Sequence, residues 1–409
     1  MAYARRIPLG KLKLETFNDL ATHLCNTFTA LASHSKRVDI VFDLYYSESV
    51  KEHVRLKRSN DAPPINVDIS HGQQKLPVDT KLLWSSSSNK LKFEQVFIKW
   101  MLQNFKDPRP FYFGGAYKSC IQRCVKLTNG NYHEVNCLKC PQEEADDRIM
   151  IHIDNSLRSS TGFKNIVIAS ADTDVMVSVL YHYHSTWKFI QGSKIWCYNK
   201  LGCVTPIHDL YLNLAKPELV SVLPAMHALN GCDTVSKLGS KVAPISLTGS
   251  FYLIAQFGKA PMTIEMISNA ERFLVHCILK SSVTAIATFD DLRSEIYHKS
   301  AFKLDLRKLP CTSGSIVNHI KRAYYQCSLW INAIHQASFA TFLDPNDYGY
   351  LLKDDVFVPV SSYDSNIPSD LHLPCKCLKC VRETICPCRV AKVNCCMFCK
   401  CLGNCRNPY

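Results

Sequence analysis

NIVIASADTDVMVSVLY, from Asn165 to Tyr181, is an apolar run rich in β-branched residues that leads into two aspartates and a second apolar run. The consecutive hydrophobic residues Ile166 to Ala169 predict a strand of a parallel sheet, with both faces covered. Asp172 and Asp174 then fall at the carboxyl end of that strand, where open α/β sheets bind ligands. Two carboxylates this close need a cation or a proton to offset their repulsion. The stretch therefore predicts a divalent metal site, and the alternative is a solvated turn that caps the next helix.

The composition is that of a globular chain with a basic surplus. Its 409 residues allow two or three domains, and a hydrophobic content of 47% is sufficient for a substantial core. No apolar run approaches the roughly 18 residues of a membrane-spanning helix, and the N-terminus lacks the apolar segment of a secretory signal. The formal charge of +13 favours a polyanionic partner, although it is also compatible with ordinary basic solubility.

Cysteine is the most unusual part of the composition. Ten of the 21 cysteines fall between Cys375 and Cys405. Dense, closely spaced cysteines without a secretory signal indicate metal ligation in a reducing compartment rather than disulfides. A second set is compatible with a zinc knuckle, with free core cysteines as the alternative. This set is Cys120, Cys124, Cys137 and Cys140.

The segment before the organising stretch contains a helix, a strand and a basic stripe. Thr16 to Ser33 has hydrophobic residues at helical spacing, and the β-branched segment from Arg37 to Asp43 predicts a strand that ends in an aspartate. The following sequence, KEHVRLKR, places Lys51, Arg55 and Arg58 close to one stripe of a helix. Such a stripe is suited to phosphate groups, and a solvated basic helix is the alternative.

Further carboxylates lie at the ends of predicted elements. Pro141 opens a predicted helix with more acids in its first turn than the helix dipole requires. A short turn connects this helix to the strand at Ile166, which gives a helix-to-strand unit of the α/β type. The candidate ligands collected in this way are Asp43, Glu144, Asp146, Asp172, Asp174 and Asp233. Such a set is what two-metal phosphodiester hydrolysis requires, and hard oxygen ligands select Mg²⁺ or Mn²⁺.

The order of these motifs resembles that of the flap-endonuclease and exonuclease superfamily, which has a PIN-like fold. VFD, the basic stripe, EAD, an Asp-x-Asp after an apolar strand, and GCD follow one another between residues 41 and 233. The chain looks closest to a poorly characterised, often transposon-associated branch of animal proteins with EEAD-x-R, DTDV and GCDT motifs. The resemblance implies an α/β fold with a Rossmann-like parallel sheet flanked by helices. It also implies a nuclease that hydrolyses DNA phosphodiesters with two Mg²⁺ or Mn²⁺ ions.

By this resemblance the six carboxylates are both metal ligands and catalytic residues. The first three in chain order would lean toward one metal and the last three toward the other. Lys51, Arg55 and Arg58 would hold phosphates near the scissile bond. The superfamily carries a first metal-binding aspartate near its N-terminus, whereas nothing before Glu15 is acidic here. A truncated N-terminus or a missing ligand would explain this difference, and a catalytically inactive DNA-binding or scaffolding protein is therefore the alternative function.

A second departure follows the GCD motif. Relatives usually have a glycine-rich helical hairpin at this point that grips duplex backbone. This chain has only KLGSKVA, in which Lys241 is the residue expected to contact nucleic acid. The resemblance therefore predicts a weaker backbone contact here than in the superfamily.

The cysteine-rich tail resembles one repeat of the tesmin-type CXC domain, a DNA-binding module in which nine cysteines hold three zinc ions. The matching residues are Cys375, Cys377, Cys380, Cys386, Cys388, Cys395, Cys399, Cys401 and Cys405, and Cys396 is left over. Nine thiolates are fewer than three separate tetrahedral sites require, so some sulfurs must bridge. The basic residues expected to contact DNA are Lys376, Lys379, Arg389 and Lys392. A structural zinc clip without DNA contact is the alternative.

The sequence thus predicts four segments. These are a nuclease domain over 14–245 that is truncated at its N-terminus, a helical accessory region over 246–358, a linker over 359–374 and a zinc-binding tail over 375–409. DNA is the expected partner, no membrane association is expected, and the expected localisation is the nucleus.

Overall fold

A computed structural model describes most of the chain. The described residues are 12–46, 48–58, 65–77, 83–84, 86–115, 122–159, 162–170, 172–198, 202–238, 248–300, 304, 308–336, 343–360, 375–381, 385–390, 392, 394–395 and 399–407. The protein is a mixed α/β structure with small sheets and a C-terminal cysteine cluster. No helix within the described ranges has both the length and the apolarity needed to cross a bilayer.

The N-terminal part packs two helices against a four-stranded sheet. The helices are α1 (Phe17–Leu31) and α3 (Ser87–Asn104), and a shorter helix, α2 (Val50–Arg58), lies between them in sequence. The strands are β1 (Val38–Val41), β2 (Phe111–Gly114), β3 (Cys124–Thr128) and β4 (Asn131–Glu134), in that spatial order. The predicted helix from Thr16 is confirmed, because Thr16 and Asp19 form a reciprocal capping box.

This sheet is mixed rather than parallel. β1 pairs parallel to β2, with Val38 opposite Phe111, and the two later pairs are antiparallel. Asn129 and Gly130, both with positive φ, join β3 to β4 in the tight turn that Asn-Gly favours. Aromatic residues between the helices and the sheet form a core that includes Phe93. Val38 and Ile40 of β1 pack against this core. The carboxyl end of β1 leads to Asp43.

The organising stretch forms a strand and a helix, as predicted, within a second small sheet. The helix α4 (Ala145–Arg158) precedes β5 (Asn165–Ala169), and α5 (Thr173–Ser185) follows it. Strand β6 (Lys194–Tyr198) pairs parallel to β5, and β7 (Val204–Pro206) pairs antiparallel to β6. The region between Tyr181 and Leu214 is therefore an integral part of this sheet.

The expected burial of β5 on both faces is wrong. Only Ile168 is buried in this strand, and Val167 is 68% exposed. Within the described ranges β5 is an edge strand, and β1 is the edge of the other sheet, so the single parallel sheet expected from the sequence is not present there. The apolar run predicted that helices cover both faces of β5, because β-branched residues are typical of central strands. Ile168 is the buried residue of this strand, as expected if helices cover one face only.

A helical region follows and shares its core with the preceding domain. It begins with α6 (Ile207–Leu214) and α7 (Pro217–Asn230) and continues with α8 (Ile264–Leu279), α9 (Phe289–Lys299) and α10 (Ser313–Ile331). The largest hydrophobic cluster runs from α7 through α8 to α10. The predicted boundary at residue 245 therefore separates helices that bury their apolar faces against one another.

A short hairpin and the cysteine-rich tail complete the described chain. The hairpin strands are β8 (Tyr350–Lys353) and β9 (Val356–Pro359), and β9 packs against α2. This hairpin occupies the end of the predicted accessory region, and residues 361–374 of the predicted linker lie outside the described residues. The tail contains one short helix, α11 (Pro387–Val390), and is otherwise organised around its cysteines.

Candidate functional site

The start of α4 is the point at which several predicted carboxylates meet. Glu144 is the N-cap residue of this helix, and Asp146 lies in its first turn. Asp43, which follows β1, accepts a hydrogen bond from the backbone N–H of Ala145 with a distance of 2.9 Å between nitrogen and Oδ1. A carboxylate at this position stabilises the exposed N–H groups of the first helical turn. The bond therefore joins the end of β1 to the start of α4.

Lys51 connects this helix start to the GCD loop. Its Nζ forms an ion pair with Glu144 Oε1 and lies 3.4 Å from Asp233 Oδ2. The lysine side chain is only 14% exposed. Burial by itself would lower the pKa of Lys51, but attraction to Glu144 and Asp233 outweighs it and raises the pKa. The ammonium group thus holds together two carboxylates that are 89 positions apart in sequence.

Asp172 and Asp174 occupy the start of α5. Asp172 is the N-cap, and its Oδ1 accepts a hydrogen bond from the backbone N–H of Asp174 at 3.0 Å. The capping turn that was the alternative to a metal site is therefore present. Asp174 Oδ1 lies 2.7 Å from His227 Nε2, and the His227 ring stacks on Trp330 with a centroid distance of 5.3 Å. One oxygen of Asp174 is thus held by α7.

Electrostatic interactions show that the two groups of carboxylates are neighbours. The pKa of Asp146 is raised to about 8 by burial and then by the negative charges of Glu144, Asp172 and Asp43. Asp146 therefore lies near carboxylates that follow β1 and near one that follows β5. Lys51 connects Asp233 to Glu144, and Asp174 follows Asp172 at the start of α5.

The chemistry of this region fits hard cations, although its geometry is open. Every donor is a carboxylate oxygen, the ligand type preferred by Mg²⁺ and Mn²⁺. In the part of the chain that the structure describes, sets of at least three ligand atoms within 4.8 Å of one another occur only in the tail. The carboxylates therefore stand further apart than in a closed cation site, and Lys51 provides the positive charge between two of them.

The raised pKa of Asp146 predicts that the metal-free protein loses the stabilising contribution of this residue as the pH rises. Because its pKa in the fold is about 8, well above the ordinary 3.8, the native state retains a proton that the unfolded chain releases between these values. The contribution of Asp146 to the free energy of unfolding in EDTA should be fully present below about pH 4 and be lost toward pH 8, by up to about 1.4 kcal/mol per pH unit.

Urea denaturation of the Asp146→Asn variant measures this effect. The variant should show a flatter decline than the unaltered chain, because an amide has no proton to lose. Asp209→Asn, a change at a carboxylate that is 57% exposed on α6, is the control and should leave the decline unchanged. An equally steep decline in the Asp146→Asn variant would show that this carboxyl does not carry the pH dependence.

The predicted phosphate-binding residues of α2 face the carboxylates. Arg55 pairs with Glu143 at 2.9 Å and lies over the ring of Tyr45. These contacts hold its guanidinium on the side of α2 that faces the start of α4. Lys51 is held in the same way by its two ion pairs. The side chain of Arg58 and all of Lys241 lie outside the described residues. Both described cations are therefore neighbours of the carboxylates and are engaged by them.

The tail forms one connected cluster of thiols. Three sets of four sulfur atoms each lie within 4.8 Å of one another, and Cys375 belongs to all three. The sets are Cys375, Cys377, Cys380 and Cys386; Cys375, Cys380, Cys395 and Cys401; and Cys375, Cys388, Cys395 and Cys399. Cys405, the ninth predicted ligand, packs against the same cluster, while Cys396 lies outside the described residues.

The spacing of these sulfurs suits a tetrahedral metal. Sγ–Sγ distances are 3.4 Å for Cys375 and Cys380, 3.6 Å for Cys388 and Cys399, and 3.9 Å for Cys375 and Cys395. These exceed a disulfide bond of about 2.05 Å, whereas the edge of a ZnS₄ tetrahedron with Zn–S bonds of about 2.3 Å is about 3.8 Å. The cluster can therefore hold a metal ion, and zinc is the metal that thiolates in this geometry favour.

The predicted DNA-contacting residues of the tail divide into two groups. Lys376, Lys379 and Lys392 are exposed. Arg389 instead donates hydrogen bonds from its guanidinium to the backbone carbonyls of Cys380 and Val381. The three lysines are accessible to a polyanion, while the arginine braces two turns of the tail.

Cys124, Cys140 and His182 also have side chains that can bind metals, and all three are buried. Cys124 and Cys140 are buried with Leu138, and no set of three ligand atoms among the described residues includes them; Cys120 lies outside those residues. His182 is buried with its Nε2 2.9 Å from the carbonyl of Trp330, and burial lowers its pKa to about 4. For Cys124 and Cys140 these surroundings are those of core residues, which was the alternative to a zinc knuckle, whereas Cys137 is exposed.

Three residues near the acids were not singled out from the sequence. His227 contacts Asp174, Glu143 pairs with Arg55, and Asp147 is a buried carboxylate beside Asp146. The run EEADD contained a signal for the two acids, since it has more carboxylates than a helix start requires. The role of His227 had no local signal, because its partner lies 53 positions away.

Comparisons with known proteins identify no relative. No protein-family model, curated protein or solved structure matches the chain. A function for the site must therefore be argued from its own geometry and chemistry.

Proposed function

We propose that this chain is a metal-dependent nuclease that hydrolyses DNA phosphodiesters at two Mg²⁺ or Mn²⁺ ions, with a zinc-binding tail that recruits DNA in the nucleus. The observation that carries the proposal is that carboxylates from four separate motifs lie close to the start of α4. Carboxylates gathered in this way are costly unless cations offset their repulsion. Two divalent cations would supply that charge and the means to activate water and stabilise the leaving oxygen.

The position of the acids in the fold supports the same reading. Asp43 follows β1 and Asp172 follows β5, and each strand runs parallel to its neighbour in its own sheet. Ligands of α/β proteins bind at the carboxyl ends of parallel strands. The PIN-like fold that the sequence resembles would bring such strand ends together, and here the two ends belong to separate sheets. The raised pKa of Asp146, caused by burial and by charges from both ends, is in accord with their proximity.

In this proposal the residues of the chain have distinct tasks. The six carboxylates would bind the cations, which supply Lewis acidity and a nucleophilic water when present. Lys51 and Arg55 lie beside them and would contact the phosphates on either side of the scissile bond. His227 holds one oxygen of Asp174, which leaves the other oxygen for a cation. The exposed lysines of the tail would add sequence-independent affinity for DNA.

A catalytically inactive DNA-binding protein is the second candidate. The specific observation in its favour is Lys51, whose ammonium group sits between Glu144 and Asp233 where a metal ion would be needed. A lysine that stays in this position would replace the cation instead of making room for it. The two candidates therefore differ in whether divalent metal displaces Lys51.

Cleavage of labelled single-stranded, duplex and flap DNA in Mn²⁺ tests the proposal. The unaltered chain should cut at least one substrate, and the double variant Asp172→Asn, Asp174→Asn should lose about 100-fold or more in rate, because two of the three carboxylates assigned to one cation are removed. Asp209→Asn on the exposed face of α6 is the matched control and should retain full activity. No cutting by the unaltered chain, with zinc-dependent DNA binding retained, would favour the inactive binding protein.

A further inference from the structure

Asp147 is a buried carboxylate in which one oxygen has no hydrogen-bond partner among the described residues. It lies in the first turn of α4 and is only 3% exposed. Its Oδ1 is sealed from solvent, and no group of the described residues donates a hydrogen bond to it. A buried polar oxygen in this condition costs about 1–3 kcal/mol, and more if it carries charge. A hydrogen-bond donor or a cation would stabilise such an oxygen, and no described residue donates a hydrogen bond to it.

A cavity of about 180 Å³ opens beside this residue. It is bounded by α2, the start of α4, α10 and β9, and its polar lining includes Lys51, Gln142, Glu144, Asp147, Thr234 and Gln326. Gln142 contributes a second oxygen without a partner, because its Oε1 is buried and receives no hydrogen bond from the described residues. Both residues thus line the same cavity, and each has one buried oxygen that receives no hydrogen bond from the described residues.

The lining favours a hydrated divalent cation over other ligands. An anion would be repelled, since Glu143, Glu144 and Asp147 all line the cavity, and an apolar ligand would leave both acceptor oxygens without partners. The volume corresponds to about six waters at roughly 30 Å³ each, which is enough for a cation that keeps part of its hydration shell. Carboxylate and amide oxygens are the ligands that Mg²⁺, Mn²⁺ and Ca²⁺ accept.

The local charge balance points the same way. Asp147 joins the six predicted acids to give seven carboxylates, against which Lys51 is the cation in contact with two of them. Seven carboxylates thus lie near one contacting lysine, and divalent cations would offset the repulsion that arises when these carboxylates ionise.

We propose that Asp147, together with Glu144 and the side-chain carbonyl of Gln142, binds a further divalent cation in this cavity, beside the two cations of the nuclease centre. The inference rests on the proposed function for those two cations and on the unpartnered oxygens for the third. The cation would satisfy both acceptor oxygens and offset the remaining negative charge. It would also lie against Lys51, so that the ammonium group is driven away from Glu144.

The number of bound Mn²⁺ ions tests this site without reference to catalysis. The full-length chain with its zinc-loaded tail is titrated with Mn²⁺ alone, and bound metal is counted by equilibrium dialysis and by electron paramagnetic resonance. The Asp147→Asn variant should bind one Mn²⁺ fewer per chain than the unaltered protein. Mn²⁺ should also raise the melting temperature of this variant by less than that of the unaltered chain.

Two further variants separate the possible outcomes. Gln142→Ala, which leaves the helix intact, should weaken the same Mn²⁺ equivalent, whereas Asp209→Asn should bind as many ions as the unaltered chain. An Asp147→Asn variant with unchanged stoichiometry would overturn the proposed site while leaving the two-cation centre in place. An unaltered chain that binds no Mn²⁺ would overturn both proposals, and the cleavage assay would then distinguish the inactive binding protein.

Discussion

Replacement of Lys51 by methionine is expected to destabilise the metal-free protein by about 3–5 kcal/mol, the usual cost of leaving a buried charge without its partner. Methionine keeps the length and the apolar stem of the side chain, so packing is largely preserved. The ammonium group is lost, and Glu144 and Asp233 then face each other with no cation between them. Glu144 is the more affected of the two, because its side chain is 13% exposed against 42% for Asp233.

Thermal and urea denaturation in EDTA and in Mn²⁺ measure this change. Divalent metal should raise the melting temperature of the Lys51→Met variant by more than that of the unaltered chain, since the cation would take the place of the missing ammonium group. Lys57→Met removes an exposed lysine from the same helix and should change the stability little. Equal stability of the two variants in EDTA would show that Lys51 does not hold the carboxylates together.

Replacement of Cys375 by serine is expected to cause the larger loss, namely the zinc content and the fold of the tail. Cys375 belongs to all three sets of four neighbouring sulfurs, so its removal disturbs each candidate site at once. The described tail has one short helix and a core made of cysteines, so metal binding must supply its folding free energy. Structural zinc typically contributes about 10–16 kcal/mol to such segments.

Zinc content by mass spectrometry and the rate of tail proteolysis check this result. The Cys375→Ser variant should lose most of its zinc, and protease should remove the tail rapidly while the rest of the chain stays folded. Cys203→Ser, at an exposed cysteine between β6 and β7, is the control and should keep the zinc content of the unaltered chain. A Cys375→Ser variant with full zinc occupancy would mean that Cys375 is not a ligand.

The helices could be predicted from sequence because their signals are local. Helix α1 shows an apolar stripe preceded by a threonine that caps it, and α4 has a run of acids at its start. The prediction that Pro141 opens α4 is wrong, because Glu144 is its N-cap and Ala145 its first residue. Strand β5 was located correctly by its β-branched residues, but its surroundings were not. Coverage of a strand depends on which elements pack against it, and Val167 could not reveal that one face of its sheet is open.

The candidate site divides in the same way. Sequence motifs indicated the six carboxylates, since each follows a strand or begins a helix. They did not indicate Asp147 as an isolated buried carboxylate, because the absence of donors around it depends on α2, α10 and β9. Nor did they indicate the contact of His227 with Asp174, which joins α7 to α5. Interactions between distant segments carry no local pattern.

The sequence by itself determined which residues are the candidate ligands of this protein: the carboxylates at element ends and the nine cysteines with the spacing of a metal-binding tail. Residue type and local spacing are sufficient for this, because hard and soft ligands select their metals by atom type. Only the tertiary structure decided how these groups interact. The ion pairs of Lys51, the position of Asp146 between two groups of acids and the cavity beside Asp147 all depend on burial and on distances between segments far apart in the chain.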